Sequence, residues 1–304
     1  MATKITFIGK PEMGKTTIKK VIFEGEDPNE LIIFPLEATI GIQYSVHEVM
    51  NSKVSLIDAP GQSLPIIMED EQKQILAFGD SMAIIYIFDY PTWISDSQDI
   101  IDDVKKIYEI RKKHGFEAKI ILFLHKIDLL ITKKIGSMLA LIRRQIIKQL
   151  DIPEEIPIYF TSLHPNLIYT TYNALSDTIS NFSKDTSTLK EIIKNLIKGF
   201  SKTGIFITDN QRNLMIQEMT NDFDASILYY LYERIYQLSI STEEISPKGS
   251  LVNLGSKILT MVIDNLNNHE SNFNKILVFS ETLDKNDITG IIDELKKELK
   301  QKNN

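Results

Sequence analysis

Short apolar runs alternate with longer stretches of helical period from the N-terminus to Phe182. Five of the runs, Ile5 to Ile8, Val54 to Ile57, Ile84 to Phe88, Ile120 to Leu124 and Ile158 to Phe160, are apolar or nearly so, as strands covered on both faces must be. Lys15 to Glu24, Glu71 to Phe78, Asp96 to His114, Ile135 to Leu150 and Leu167 to Phe182 read as helices. Such alternation predicts an α/β fold with a mostly parallel, doubly wound sheet. Gly41 to Val49 alternates polar and apolar positions over much of its length, which suits an antiparallel edge strand.

The polar stretch Ser183 to Thr188 ends this rhythm. Beyond it the pattern predicts a helix (Leu189 to Phe200), a strand (Gly204 to Thr208), a turn (Asp209-Asn210-Gln211), a strand (Leu214 to Met219) and a helix from about Asp224 to Leu238. Three strands follow near Ser250 to Leu254, Ile258 to Leu266 and Ile276 to Phe279. The last helix places Ile288, Ile291, Ile292, Leu295 and Leu299 on one face. Hairpins bracketed by helices predict an antiparallel α+β domain. With 304 residues and roughly 150 per domain, two domains are expected, residues 1–184 and 185–304.

Composition narrows the function. Hydrophobic residues make up 43% and charged residues 25%, enough for a sizeable core, and the net charge of −7 supplies no basic field for a polyphosphate backbone. A nucleic-acid partner is therefore not expected. The absence of cysteine excludes disulfides, thiolate metal sites and thioether or thioester lipids, and suits a reducing compartment. With no signal peptide and no apolar run of about 18 residues, the expected location is cytoplasmic, without a direct membrane anchor; residence at an internal membrane would come through a partner.

The chemistry begins at Gly9-Lys10-Pro11-Glu12-Met13-Gly14-Lys15-Thr16, which follows the first strand and opens the first helix. Spacing and context identify a phosphate-binding loop. Successive backbone N–H groups face the phosphates, Lys15 neutralises their terminal oxygens, and Thr16 offers a hydroxyl to Mg²⁺. Gly9, Glu12, Met13, Gly14, Lys15, Thr16 and Thr17 are the candidate contacts of this segment. Pro11, with fixed φ and no N–H, removes one possible donor. Thr39, in the loop before the edge strand, can join the metal shell when a γ-phosphate holds that loop closed. After the strand Val54 to Ile57 comes Asp58-Ala59-Pro60-Gly61-Gln62: Asp58 can reach Mg²⁺, Gly61 can offer its N–H to the γ-phosphate, and Gln62 can orient the attacking water. Lys15, Thr39 and Gln62 are thus the candidate catalytic set, and Thr16, Thr39 and Asp58 the candidate metal set.

His125-Lys126-Ile127-Asp128 ends the strand Ile120 to Leu124. Asp128 can accept from the N1–H and exocyclic amine of guanine, a donor pair adenine lacks, so GTP or GDP is expected over ATP. Lys126 can lay its stem on the base, and Ser162 and Leu163, following the strand Ile158 to Phe160, can cover the base edge with backbone N–H groups.

These stations, in this order, resemble the Ras-like small GTPases. His125 in place of the usual Asn, the reading DAPGQ, Thr161-Ser162 in place of Ser-Ala, and the attached helix-and-hairpin domain together resemble the Rag/Gtr GTPases. That resemblance implies a Ras-like G domain followed by a roadblock-like (longin-related) dimerisation domain. It also implies a GTP/GDP switch with Mg²⁺ that works as a homo- or heterodimer, with roadblock or longin scaffold proteins, a GTPase-activating protein and nutrient-linked signalling. DAPGQ and the Pro28-Asn29-Glu30 loop are similar to the C/D branch, and the ATIGI loop to the A/B branch, so the choice of dimer partner stays open. The first arginine is Arg111, which excludes an arginine finger from the phosphate loop or either switch segment and predicts slow intrinsic hydrolysis, roughly 10⁻⁴ to 10⁻² per second. The alternatives are a non-hydrolysing GTP-binding scaffold subunit, which Gln62 disfavours, and an ATPase or small-molecule kinase, which Asp128 disfavours.

Other residues read as structural. His47, His114, His164 and His269 lack metal-ligand spacing, Met215, Met219 and Met261 suit core filling, and Asp102, Asp103 and Glu69 to Glu71 suit helix faces or caps. Trp93, read as lying in a loop after a strand, is a candidate interface anchor.

Overall fold

The computed structural model describes residues 3–33, 36–37, 39–49, 52–130, 135–164, 167–182, 184–209, 214–224, 227, 231, 248–254, 257–266 and 273–302. The chain forms two compact units, Met1–Ile135 with Leu139–Ala174 and Gly136–Met138 with Leu175–Asn304.

In the first unit the elements run β1 (Thr3–Ile8), α1 (Lys15–Ile18), α2 (Pro28–Ile33), β2 (Gln43–Val49), β3 (Ser52–Asp58), α3 (Leu64–Glu69), α4 (Glu71–Phe78), β4 (Ala83–Asp89), α5 (Tyr90–His114), β5 (Lys119–His125), α6 (Ile135–Leu150), β6 (Ile158–Phe160) and α7 (Tyr169–Ser180). The last of these crosses into the second unit. The six strands stand in the order β2-β3-β1-β4-β5-β6, with β2 antiparallel to β3 and every other pair parallel. All seven residues of β4 are buried, which explains its unbroken apolar run. β2 is the antiparallel edge strand expected, but its apolar positions Tyr44 (63% exposed) and Val46 (47% exposed) are the more exposed ones and Ser45 and His47 the less exposed, the reverse of apolar-in, polar-out alternation. This is the mostly parallel sheet with an antiparallel edge strand expected from the pattern, and it is consistent with a Ras-like G domain.

Four expectations need correction. The helix expected from Asp96 begins at Tyr90 and is kinked at Asp96 (φ −134°, ψ 36°). Asp89 caps it by accepting from Thr92 N at 3.0 Å, with Pro91 in the first turn, where its missing N–H costs nothing. Trp93 therefore lies in a helix and not a loop. It is 3% exposed, with its ring 6.0 Å from that of Phe88, so it is a core residue and not an interface anchor. The expected Pro28-Asn29-Glu30 loop is the start of α2, where Asp27 accepts from Asn29 N at 2.8 Å. The first helix changes winding, and a π-helical turn over Lys19–Phe23 follows α1.

The second unit contains α8 (Lys184–Ile197), β7 (Thr203–Asp209), β8 (Leu214–Met219), β9 (Lys248–Leu254), β10 (Lys257–Asn265), β11 (Phe273–Ser280) and α9 (Lys285–Lys302). Its sheet has the order β8-β7-β11-β10-β9 and is antiparallel throughout. Leu189 and Ile193 of α8 and Ile288, Ile292 and Leu295 of α9 pack with Ile205, Val262, Ile276 and Val278. The other alternating set, including Phe206, Leu259, Leu277 and Phe279, packs with Ile227 and Leu231. Period-2 alternation in each strand thus feeds two separate cores. This sheet fits a roadblock-like domain. Met261 is buried, with Met215 and Met219 partly buried against the two cores, as expected of core fillers. Most of the helix expected over Asp224 to Leu238, residues Asn210 and Gln211 of the expected turn, and His269 lie outside the described residues. Among the described residues no helix is long and apolar enough to cross a membrane.

Candidate functional site

The site forms where parallel strands end and their loops begin, at the C-terminal edge of β1, β3 and β5. The loop after β1 turns into α1 through Gly14 (φ 88°). A Cβ there would lie 2.8 Å from His125 Cδ2, so the imidazole fills the space directly beneath the loop. His125 is 3% exposed, and its Nδ1 pairs with Thr161 Oγ1 at 2.9 Å. Burial, helped by the nearby Lys126 charge, lowers the His125 pKa to about 4, which keeps the ring neutral at ordinary pH.

Lys15 is 6% exposed and donates to the carbonyl oxygens of Gly9 (2.9 Å) and Lys10 (2.6 Å). Burial lowers its pKa to about 8, against the opposing pull of Asp58. Thr16 Oγ1 donates to Asp58 Oδ2 at 2.7 Å and lies 2.7 Å from Thr39 Oγ1. Since Thr16 has one hydroxyl proton and gives it to Asp58, Thr39 is the donor in the second contact. Asp58 is 1% exposed, and its other oxygen, Oδ1, is buried without a hydrogen-bond partner. Burial raises the Asp58 pKa, which the Thr16 bond and Lys15 oppose. Two hydroxyls and an unsatisfied carboxylate oxygen are the hard oxygen donors that Mg²⁺ takes. Among the described residues no three His, Cys, Asp or Glu side chains gather as metal ligands, so a cation here would complete its shell with water and ligand oxygens.

A cavity of about 370 Å³ lies over the loop. Of the expected residues it brings together Glu12, Met13, Gly14, Lys15, Thr16, Thr17, Thr39, Gly61, Gln62 and Lys126. Gly61 is pressed against the loop, since a Cβ on it would lie 2.2 Å from Pro11 N. Gln62 is exposed at the cavity's edge. Gly9, Asp58 and His125 are buried and do not line the cavity. Asp128, Ser162 and Leu163 do not line it either, and Asp128 and Ser162 pair with each other. There the Ser162 hydroxyl donates to Asp128 Oδ1, and Ser162 N donates to Thr170 Oγ1 at 3.0 Å. Ser162 thus orients Asp128, and its own N–H is already used. Lys126 Nζ donates to Glu12 O at 2.7 Å and to Asp89 Oδ2 at 3.0 Å.

Sequence reasoning missed Leu31, Leu36 and Glu37, which also line the cavity, and Asp89. Nothing in the residues around Leu36 signals such a role. Asp89 carried a cap signal, an Asp two residues before a Pro.

A profile of the Gtr1/RagA G protein conserved region matches residues 4–241. Ras-related GTP-binding protein A of Dictyostelium discoideum is 25% identical to the chain over 178 residues, which cover 58% of this chain and 57% of that relative. The match therefore spans little more than half the length of that protein.

Proposed function

We propose that this chain, which belongs to the Gtr1/RagA family of G proteins, is a GTP/GDP-dependent switch with slow intrinsic hydrolysis that acts as a dimer. The observation that carries the reading is the convergence of Thr16, Thr39 and the unsatisfied Asp58 Oδ1 beside a buried Lys15. Thr39 stands 23 residues from Thr16, so a segment far along the chain is held at the phosphate end of the cavity by one hydroxyl contact. A γ-phosphate can tighten or release that contact.

In this reading Lys15 and the backbone of Glu12 to Thr17 hold the phosphates, and Gly61 and Thr39 sense the terminal one. Thr16, Thr39 and Asp58 would hold Mg²⁺, which supplies charge neutralisation when bound. Gln62, exposed at the cavity edge, orients water. Asp128 reads guanine, oriented by Ser162, and Leu163 N–H covers the base edge. Residues 1–184 act as the G domain and residues 185–304 as the dimerisation domain. Partners are a second subunit, a scaffold and an activating protein that supplies the arginine missing before Arg111.

Nucleotide choice tests the reading. Asp128→Asn is expected to shift preference from GTP toward XTP in competition binding, because the amide presents a donor where the carboxylate accepts. Unchanged GTP preference would remove Asp128 from base recognition.

A further inference from the structure

We propose that Asp89 is a positioning residue for nucleotide retention: it fixes Lys126, which in turn holds the phosphate loop in its binding shape. The inference rests on the reading of this site as a guanine-nucleotide pocket.

Asp89 ends β4 and is 5% exposed. Its two oxygens serve two different partners. Oδ1 accepts from Thr92 N (3.0 Å) and Thr92 Oγ1 (2.7 Å), capping α5, and Oδ2 accepts from Lys126 Nζ (3.0 Å). Burial works against the carboxylate, yet the bonds from Thr92 and Lys126 outweigh it and hold its pKa below the usual range. Lys126 uses a second proton on Glu12 O at 2.7 Å.

That carbonyl belongs to a residue with left-handed backbone, φ 63°, uncommon for anything but glycine, Asn or Asp. Glu12 needs outside contacts to keep this shape. Lys126 is itself left-handed at φ 57° and its side chain is one-third exposed. A lysine on a flexible stem does not hold one position by itself. The buried, helix-capped carboxylate supplies the fixed point. A continuous path therefore runs from the N-terminus of α5 through Asp89 and Lys126 to Glu12, and Thr92 Oγ1 also approaches Met13 Sδ at 3.7 Å. Two adjacent loop residues are thereby tied to the start of one long helix.

Asn and Ser cap helices about as well as Asp, so Asp89→Asn removes the charge that faces Lys126 and spares the cap. Thr92→Ala keeps the capping N–H, removes the hydroxyl contacts to Asp89 and Met13, and spares the Lys126 contact. Release of a fluorescent GDP analogue from the full chain, chased with excess GDP, separates the two roles. Asp89→Asn is expected to release about 10-fold faster with little change in melting temperature. Thr92→Ala is expected to melt lower and to release faster than wild type by less than Asp89→Asn does, since it loosens the carboxylate but leaves its charge on Lys126. Lys126→Gln should also release faster, and adding Asp89→Asn to it should produce no further increase, since both act through one contact. If Asp89→Asn does not fold, Asp89→Ser carries the same test.

Release by the Asp89 variant within twofold of wild type, or an effect that adds in full to that of Lys126→Gln, would overturn the inference while leaving the nucleotide reading intact. A wild-type chain that retains no guanine nucleotide would overturn both.

Discussion

Lys15 within the phosphate loop and His125 packed against its Gly14 are both buried, and burial lowers the pKa of both, to about 8 and about 4. The consequences differ. In the role proposed for it Lys15 would hold phosphate only as a cation, so affinity for GTP should be greatest below about pH 8 and fall above it, by up to about tenfold per pH unit until the bound-state pKa is reached. Titrations at pH 7 and pH 9 read this directly. His125 ordinarily titrates near 6.5, so the unfolded chain takes up a proton that the folded chain refuses between about 6.5 and 4. The stabilisation is complete above pH 6.5 and is lost as the pH falls to about 4, at most about 3 kcal/mol. His125→Asn should flatten that part of a stability-against-pH curve. Gly61→Ala would place a methyl 2.2 Å from Pro11 N, so the loop and the segment after β3 must separate. A loss of about 1–3 kcal/mol in denaturant unfolding is expected, with weaker GTP binding. At this scale the phosphate loop, Asp58 and Asp128 stand out in the sequence because the chemistry proposed for them demands those residue types at those spacings. The left-handed Glu12 and the role of Asp89 do not, since both depend on a contact with Lys126 more than 30 residues away along the chain.

The strands were legible for a physical reason. A parallel strand with helices on both faces has to be apolar at nearly every position, as β4 is, and an edge strand such as β2 alternates. Helix ends were less visible, because capping decides them. Asp89 with Pro91 starts α5 six residues before its apolar period becomes clear, and that one bond moves Trp93 from an expected loop into the core. The junction between the two units likewise depends on contacts that the hydrophobic pattern does not display. The second half of α7 groups with the second unit, where Lys190 of α8 donates to Asp177 Oδ1 at 2.9 Å and also to Asn181. A fragment that begins at Asp185 lacks both acceptors, whereas one that begins at Tyr169 keeps them. The longer fragment is expected to be more stable by at least about 1.5 kcal/mol in urea unfolding, since a charged hydrogen bond at a nearly buried site is lost from the shorter one. Equal stability would support a boundary near residue 184.

Over the whole molecule, two sheets of different kind divide the work proposed for them. One ends its parallel strands in a cavity of about 370 Å³, and the other is antiparallel and has β9 as an edge strand. Leu251 on that edge is 76% exposed and Ile258 beside it 64%. An apolar edge of this kind suits strand pairing with a second subunit. Sedimentation of the full chain should show a dimer that Leu251→Lys weakens, with GTP affinity unaffected. A chain that stays monomeric at high concentration would count against self-association and favour a different partner subunit.

Single-turnover phosphate release from GTP with Mg²⁺, by the wild-type chain and by Gln62→Leu, tests the switch most directly. Wild-type release at roughly 10⁻⁴ to 10⁻² per second, reduced at least tenfold by the substitution, is the predicted result. Equal rates at the background level of free GTP would contradict the hydrolytic switch and leave a chain that holds GTP without consuming it.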